Sequence, residues 1–275
     1  MTGPQHPIPS TIPSDDRGLA YGDGLFETMR VWQARVPLLQ RHLDRLLKGC
    51  RRLGIPAPSR DVLIRHVEDA VESLDKEGIV KLMLTRGSGG RGYRPGRSQP
   101  RLVTSAHPLP EHLGDRARTG AAIQLCTTRI GRNPATAGLK HLGRLEQVLA
   151  AMELRDDVDE GLMLDELDHV IEGTRSNLFL AGDDRLVTPA LDFSGVAGVM
   201  RDWVIQAAGG LGMAVEESAI SVDDLARANE IFLTNSVIGI WPVVNIRGLD
   251  WESGCGPMTS RLMTALGEEV GAWDD

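Results

Sequence analysis

The apolar positions of this chain switch between a period of two and a period near 3.6, and the switches outline its elements. A glycine turn at Tyr21-Gly22-Asp23-Gly24 leads into Leu25-Phe26-Glu27-Thr28-Met29-Arg30-Val31-Trp32. Alternation there predicts a strand that shows Thr28 and Arg30 on one face. After a turn at Gln33-Ala34-Arg35, Leu38, Leu39, Leu43, Leu46, Leu47, Cys50 and Leu53 trace one helical face. Arg41, Arg45 and Arg52 lie off that face, so the helix is expected to carry its arginines outward. A second helix is predicted from the N-cap Ser59, with Val62, Leu63, Val67, Ala70, Val71 and Leu74 as its stripe and Gly78 closing it. Residues 79–86 and 102–107 read as strands, and residues 1 to about 18, rich in proline, as a loose arm.

The second half reads as strands with interposed helices. Residues 121–126 predict a buried strand, and Leu145, Val148, Leu149 and Met152 recur at helical spacing. Residues 161–165 and 169–172 form one expected hairpin; residues 177–181 pair through Gly182-Asp183-Asp184 with residues 185–188 as another. An apolar helix opens behind Gly195 and Gly198, residues 230–236 end a buried strand in Thr234-Asn235-Ser236, residues 239–244 follow, and a last helix spans about 256–272. The proline- and glycine-bearing stretch 108–119 reads as a linker, giving domains 1–107 and 120–275 of mixed α+β or α/β class.

At 275 residues and 41% hydrophobic content, the chain suits one or two sizeable cores. Its formal net charge of -8, with no long basic block, argues against a nucleic-acid or anionic-membrane partner, so an anionic ligand must be held by local groups. Cys50, Cys126 and Cys255 are widely separated, which suggests core-filling thiols in a reduced, cytoplasmic protein and no metal site. No stretch has the apolar length of a membrane helix.

Candidate chemistry gathers at a few places. Lys140, in Gly138-Leu139-Lys140-His141-Leu142-Gly143-Arg144-Leu145-Glu146-Gln147, is the only lysine after Lys81 and falls between a strand and a helix. A lysine held near an interior can act as a nucleophile or base. Gly87, Gly89 and Gly92 match the dinucleotide spacing after a strand, but Pro95, Gly96 and Pro100 forbid the helix that such a site requires. A flexible loop whose Arg86, Arg91 and Arg94 can hold a carboxylate is the better reading. Glu172-Gly-Thr-Arg-Ser-Asn177 offers a carboxylate and backbone donors, and the glycines before Val199 prepare a helix N-terminus for phosphate.

Five blocks, Tyr21-Gly-Asp-Gly-Leu-Phe-Glu-Thr, Arg86-Gly-Ser-Gly-Gly-Arg-Gly-Tyr, Lys140-His-Leu-Gly-Arg-Leu-Glu-Gln, Glu172-Gly-Thr-Arg-Ser-Asn-Leu-Phe and Gly195-Val-Ala-Gly-Val-Met-Arg, occur in an order that resembles pyridoxal-phosphate enzymes of fold type IV. That family includes the branched-chain and D-amino-acid aminotransferases, and the second and third blocks resemble its aminodeoxychorismate lyase branch. The resemblance covers about residues 18–246. It implies two domains with pyridoxal 5'-phosphate at their interface, a homodimer, and conversion of 4-amino-4-deoxychorismate to 4-aminobenzoate and pyruvate. An aminotransferase on the same scaffold and a non-catalytic binding protein are the alternatives.

Residue by residue, the resemblance implies that Lys140 carries the cofactor and Glu172 meets its pyridine nitrogen. Arg45, Gly198, Val199, Met200 and Ser236 would hold the phosphate, with Asn177 nearby. Arg91, Tyr93 and Arg30 would hold substrate carboxylates, although Arg30 also reads as an ordinary surface arginine. Thr28 or Lys140 would return the proton to the leaving pyruvate. Leu145 stands where the aminotransferases have a tyrosine, and Met200 where they have a phosphate-binding threonine, which leaves the ring hydroxyl without an assigned partner.

Overall fold

The computed structural model describes residues 11–111, 113–182 and 185–271. Residues 1–10 of the expected arm, His112 of the expected linker, Asp183 and Asp184 of the second hairpin turn, and Ala272 in the last expected helix lie outside the described residues. The chain divides into two compact units: the described residues up to Pro110 together with Lys140–Gly143, and Glu111–Leu139 together with the residues from Arg144 onward.

In the first unit the elements are α1 (Arg17–Tyr21), β1 (Gly24–Val31), α2 (Leu39–Leu53), α3 (Arg60–Val71), β2 (Gly78–Thr85) and β3 (Arg101–His107). The arm expected to run to about residue 18 gives way to structure by Asp16, which is buried, caps α1 by accepting from the Gly18 N–H at 2.8 Å, and accepts from the Thr85 hydroxyl at 2.9 Å. The strands form an antiparallel sheet in the order β1-β2-β3. One face, with Leu25, Met29, Val31, Val80, Leu82 and Leu84, is buried against Leu43, Leu46 and Cys50 of α2 and Leu63 and Val67 of α3. Ser59 caps α3 as expected, its Oγ accepting from the Val62 N–H at 3.4 Å. The other face shows Phe26, Thr28 and Arg30 beside Met83, Lys81 and Ile79, their partners in register.

β1 is an edge strand, and residues 140–142 lie along its open side. The Phe26 N–H donates to the Lys140 carbonyl and the Leu142 N–H to the Gly24 carbonyl, each at 3.0 Å, so edge groups that would otherwise need water are paired. Gly24 makes the close approach possible: a Cβ there would stand 2.5 Å from the Leu84 oxygen and 2.7 Å from the Leu142 side chain.

In the second unit the elements are α4 (Asp115–Thr119), β4 (Ala121–Ile130), α5 (Leu145–Met152), β5 (Glu160–Asp165), β6 (Val170–Gly173), β7 (Asn177–Gly182), β8 (Arg185–Pro189), α6 (Val199–Gly210), β9 (Ala214–Ser218), α7 (Val222–Arg227), β10 (Glu230–Asn235), β11 (Gly239–Arg247) and α8 (Pro257–Val270). Eight strands run in the order β6-β5-β4-β11-β10-β7-β8-β9. β5 with β6 and β7 with β8 are the two expected hairpins, while β4 pairs in parallel with β5 and β11. Part of the expected linker is helical, because Leu113 and Ala117 pack α4 onto the sheet core. The α5 period was legible but its buried face was not. Leu145, Val148, Leu149 and Met152 are 77%, 52%, 53% and 77% exposed, while Gln147 and Ala150 turn inward, Ala150 beside Cys126. Of the three thiols expected in the core, Cys50 and Cys126 are buried, but Cys255 is exposed.

The most demanding feature of the first unit is a fully buried carboxylate. Glu27 points to the α2 side of β1, where Arg45 grips it with Nε at 2.8 Å from Oε1 and Nη2 on Oε2, and His42 Nδ1 lies 2.6 Å from Oε2. Arg45 therefore does not project outward as the helical pattern implied; its counter-ion is on another element. Burial alone would raise the Glu27 carboxyl, yet the charge of Arg45 and the bonds from His42 and Arg45 bring it from 4.5 to about 2. Burial in turn lowers the pKa of His42, against the pull of Glu27, which favours a neutral ring donating its Nδ1 proton. Removing one partner from such a pair leaves an uncompensated buried charge. Arg45→Ala is expected to cost about 3–5 kcal/mol in urea unfolding, with a smaller loss when Glu27→Gln accompanies it. Because the folded carboxyl is depressed, its contribution is complete above pH 4.5 and lost as pH falls from 4.5 to about 2. Glu27→Gln should flatten the stability profile across that window.

Candidate active site

The candidate residues fall into two groups, one on each unit. On the first, the Lys140 ammonium sits 4.5 Å from the centroid of the Phe26 ring, and that of Lys81 stands 5.2 Å from the same ring. The backbone pairing of residues 140–142 with β1 produces this placement, and the Thr28–Lys81 register brings the second lysine to the same face. The sequence marks Lys81 only as a strand residue, since its company appears only once β1 and β2 are paired. Thr28 is half-buried, flanked along that face by Phe26 and Arg30. Arg30 is not a solvated surface residue: it is 8% exposed, with its guanidinium 5.6 Å over the Trp32 ring. Cation–π contacts of this kind favour a positive group over the face of an aromatic ring.

Arg91 and Tyr93 lie in the exposed loop between β2 and β3, where Tyr93 is 86% exposed and its ring is 5.5 Å from that of Tyr21. Gly87 and Gly92 take φ of +86° and +88°, and no helix follows, so the spacing of the glycines serves loop geometry. Arg86 is not available to a ligand carboxylate. It is buried, donating from Nε to Asp23 at 2.7 Å and from Nη1 and Nη2 to the Gly54 and Leu53 carbonyls at 2.8 Å each, which caps the C-terminus of α2.

On the second unit, Glu172 is buried at the end of β6 and accepts the Val196 N–H on Oε2 at 2.7 Å. Gly195, at φ +82°, carries the chain over it, and a Cβ there would come within 2.9 Å of Ile171. Asn177 donates from Nδ2 to the Val196 carbonyl at 2.9 Å, while its Oδ1 would lie 2.0 Å from any Cβ placed on Gly198. Gly198 is the N-cap of α6 and supplies no side-chain cap, so the first-turn N–H groups and the helix dipole offer an anion site. Val199 and Met200 are buried in the first turn of α6, and neither side chain carries a hydroxyl.

Ser236 follows β10 and is half-buried, two residues beyond Thr234. The Thr234 hydroxyl is buried without a hydrogen-bond partner among the described residues, opposite Asn177 in the β10–β7 register. Such an orphan suits a group that arrives with a ligand. The backbone donors expected at residues 172–177 are mostly consumed internally. Glu160, which sequence reasoning did not single out, accepts from the Thr174 N–H at 3.1 Å and from the Ser176 hydroxyl at 3.0 Å. Leu145 opens α5 on its exposed stripe. Among the described residues no helix is long and apolar enough to cross a membrane.

Residues 24–246 match the amino-transferase class IV family model. The chain is 36% identical to the aminodeoxychorismate lyase of Vibrio harveyi over 264 residues, which is 94% of this chain and 97% of that one. Its structure resembles the 4-amino-4-deoxychorismate lyase of Pseudomonas aeruginosa with a TM-score of 0.87 and 42% identity, covering 95% of this chain and 96% of that one. It also resembles the branched-chain amino acid aminotransferase of Escherichia coli, with a TM-score of 0.82, 26% identity and coverage of 97% and 91%. The chain belongs to the aminotransferase class IV family, enzymes of the two-domain fold type IV that depend on pyridoxal phosphate.

Proposed function

We propose that this enzyme is a lyase that converts 4-amino-4-deoxychorismate to 4-aminobenzoate and pyruvate. The observation that carries the reading is the face of the first unit on which Lys81 and Arg30 bring positive charge beside Thr28, with Lys140 on the Phe26 ring, in a chain of net charge -8. A substrate with two carboxylates gives that charge a purpose, and the likeness to two lyases at 36% and 42% identity supports it.

The residues present fit pyridoxal phosphate: an uncapped helix N-terminus for its phosphate, a buried carboxylate for its ring nitrogen, a buried hydroxyl without a partner, and a lysine for attachment. When bound, the cofactor supplies an electron sink for negative charge at the substrate carbon that bears the amine. Glu172 holds a proton on the pyridine nitrogen. The Gly198, Val199 and Met200 amides, Ser236 and Arg45, the last oriented by Glu27, hold the phosphate, and Asn177 fixes the loop beside them. Arg91, Tyr93 and Arg30 bind and orient the substrate carboxylates.

With the cofactor bound, Lys140 Nζ would take the proton from C4, the substrate carbon that bears the amine. The C3–O bond breaks as the ring becomes aromatic, and the departing enolpyruvate receives a proton on carbon from Lys140 Nζ or the Thr28 hydroxyl. The reaction is redox-neutral and needs no further reactant. The enzyme works in the cytoplasm as a homodimer, for which the exposed apolar stripe of α5 is suited. The second reading, an aminotransferase, is favoured by the likeness to the Escherichia coli enzyme.

Glu172→Gln should retain the cofactor, read from its visible absorbance, yet lose most turnover, because an amide cannot hold the ring proton; near-normal turnover would give Glu172 another task. Elimination needs only a leaving group next to the developing charge, whereas transamination needs further protonation and hydrolysis. Pyruvate release from aminodeoxychorismate, coupled to lactate dehydrogenase, is therefore expected to exceed transamination of alanine or branched-chain donors by at least ~100-fold, about 2.7 kcal/mol in the barrier. A common amino donor that outpaced pyruvate release would establish the aminotransferase instead.

A further inference from the structure

The loop that carries Arg91 and Tyr93 has little apolar packing to fix it, since both side chains are exposed. Its backbone is instead gripped by α1. Arg17, only 3% exposed, donates from Nη1 to the Gly92 carbonyl at 2.8 Å and from Nη2 to the Tyr93 carbonyl at 2.9 Å. Its Nε goes to Asp23 at 2.8 Å, the same carboxylate oxygen that Arg86 reaches at 2.7 Å, so the guanidinium is braced from behind. Tyr21 completes the grip, its hydroxyl accepting the Gly92 N–H at 3.2 Å while its ring meets Tyr93. The Arg17 stem also runs under the loop, where a Cβ on Gly89 would come within 2.8 Å of it.

We propose that Arg17 is a positioning residue for the reaction: it latches the backbone of the loop so that Arg91 and Tyr93 are already aimed at the substrate carboxylate. The proposal rests on the reading of Arg91 as a substrate-binding group. Its chemistry requires arginine in particular. A planar fork satisfies two successive carbonyls while its third donor stays on Asp23, a geometry that a lysine ammonium cannot span. Holding an exposed loop in its binding conformation removes the ordering cost that binding would otherwise meet, so the effect belongs in KM more than in kcat.

The test is a double-mutant cycle on the holoenzyme, with KM and kcat for aminodeoxychorismate and thermal melting measured for each protein. Arg91→Ala is expected to raise KM about 10-fold with kcat within about 3-fold, and Arg17→Lys to raise KM about 3- to 10-fold. In the Arg91→Ala background, Arg17→Lys should add less than about 2-fold, because the latch has nothing left to aim. Tyr21→Phe, which deletes one hydrogen bond and keeps the ring, should show the same dependence with an effect of about 2-fold, and it decides the matter if Arg17→Lys does not fold. Equal KM effects in both backgrounds, or an unchanged KM in well-folded Arg17→Lys, would overturn the latch. An Arg91→Ala enzyme of normal KM would remove both the loop's substrate role and the latch built on it. Absence of pyruvate release by the wild type would count against the lyase reading alone, and the same cycle on the amino donor then used would judge the latch.

Discussion

Two backbone hydrogen bonds hold Lys140 in place: the Phe26 N–H to the Lys140 carbonyl and the Leu142 N–H to the Gly24 carbonyl, along the open edge of β1. A strand edge accepts such a segment at fixed register, and register fixes the direction of every side chain on it. Lys140 therefore arrives over Phe26, on the face that also carries Thr28, Arg30 and Lys81. The glycines of the preceding turn follow from the same constraint. Gly22, at φ +66°, would place a Cβ 3.2 Å from the Gly143 nitrogen, and Gly24 has no room for one at all. The Tyr-Gly-Asp-Gly block and the lysine block, more than a hundred residues apart, are thus one structural feature.

The alternation of β1 also separates charges that would otherwise compete. Thr28 and Arg30 face one way, while Glu27 faces the other and is consumed by Arg45 and His42 in the core. A carboxylate one position along would lie among the lysines of the opposite face. The second unit applies related physics at Glu172 and α6, where a buried carboxylate and an uncapped helix N-terminus sit close together in sequence-distant segments joined by Val196.

What was legible in the sequence depended on local pattern. The strands, the capped helix at Ser59, the isolated lysine and the glycine-prepared helix at Val199 all follow from periodicity and small-residue signals that act within a few positions. What was not legible depended on partners brought from afar. Arg45 and Arg86 look like surface or loop arginines until Glu27, Asp23 and the carbonyls at Leu53 and Gly54 are placed beside them. The α5 stripe has helical spacing whichever way it faces, and only the contact of Ala150 with the core beside Cys126 decides that its larger residues point outward. Lys81 gains its meaning solely through the register of β1 with β2.

The central claim is that Lys140, delivered by β1 to the Phe26 face, is the residue that bonds the cofactor. Four lysines are available, Lys48, Lys76, Lys81 and Lys140, and Lys81 shares the same aromatic ring, so the chemistry has a real competitor. Borohydride reduction of the cofactor-loaded enzyme followed by peptide mapping distinguishes them. The account expects the pyridoxyl label on the peptide that contains Lys140 and its loss in Lys140→Ala; a label on Lys81, or labelling that survives Lys140→Ala unchanged, would contradict it.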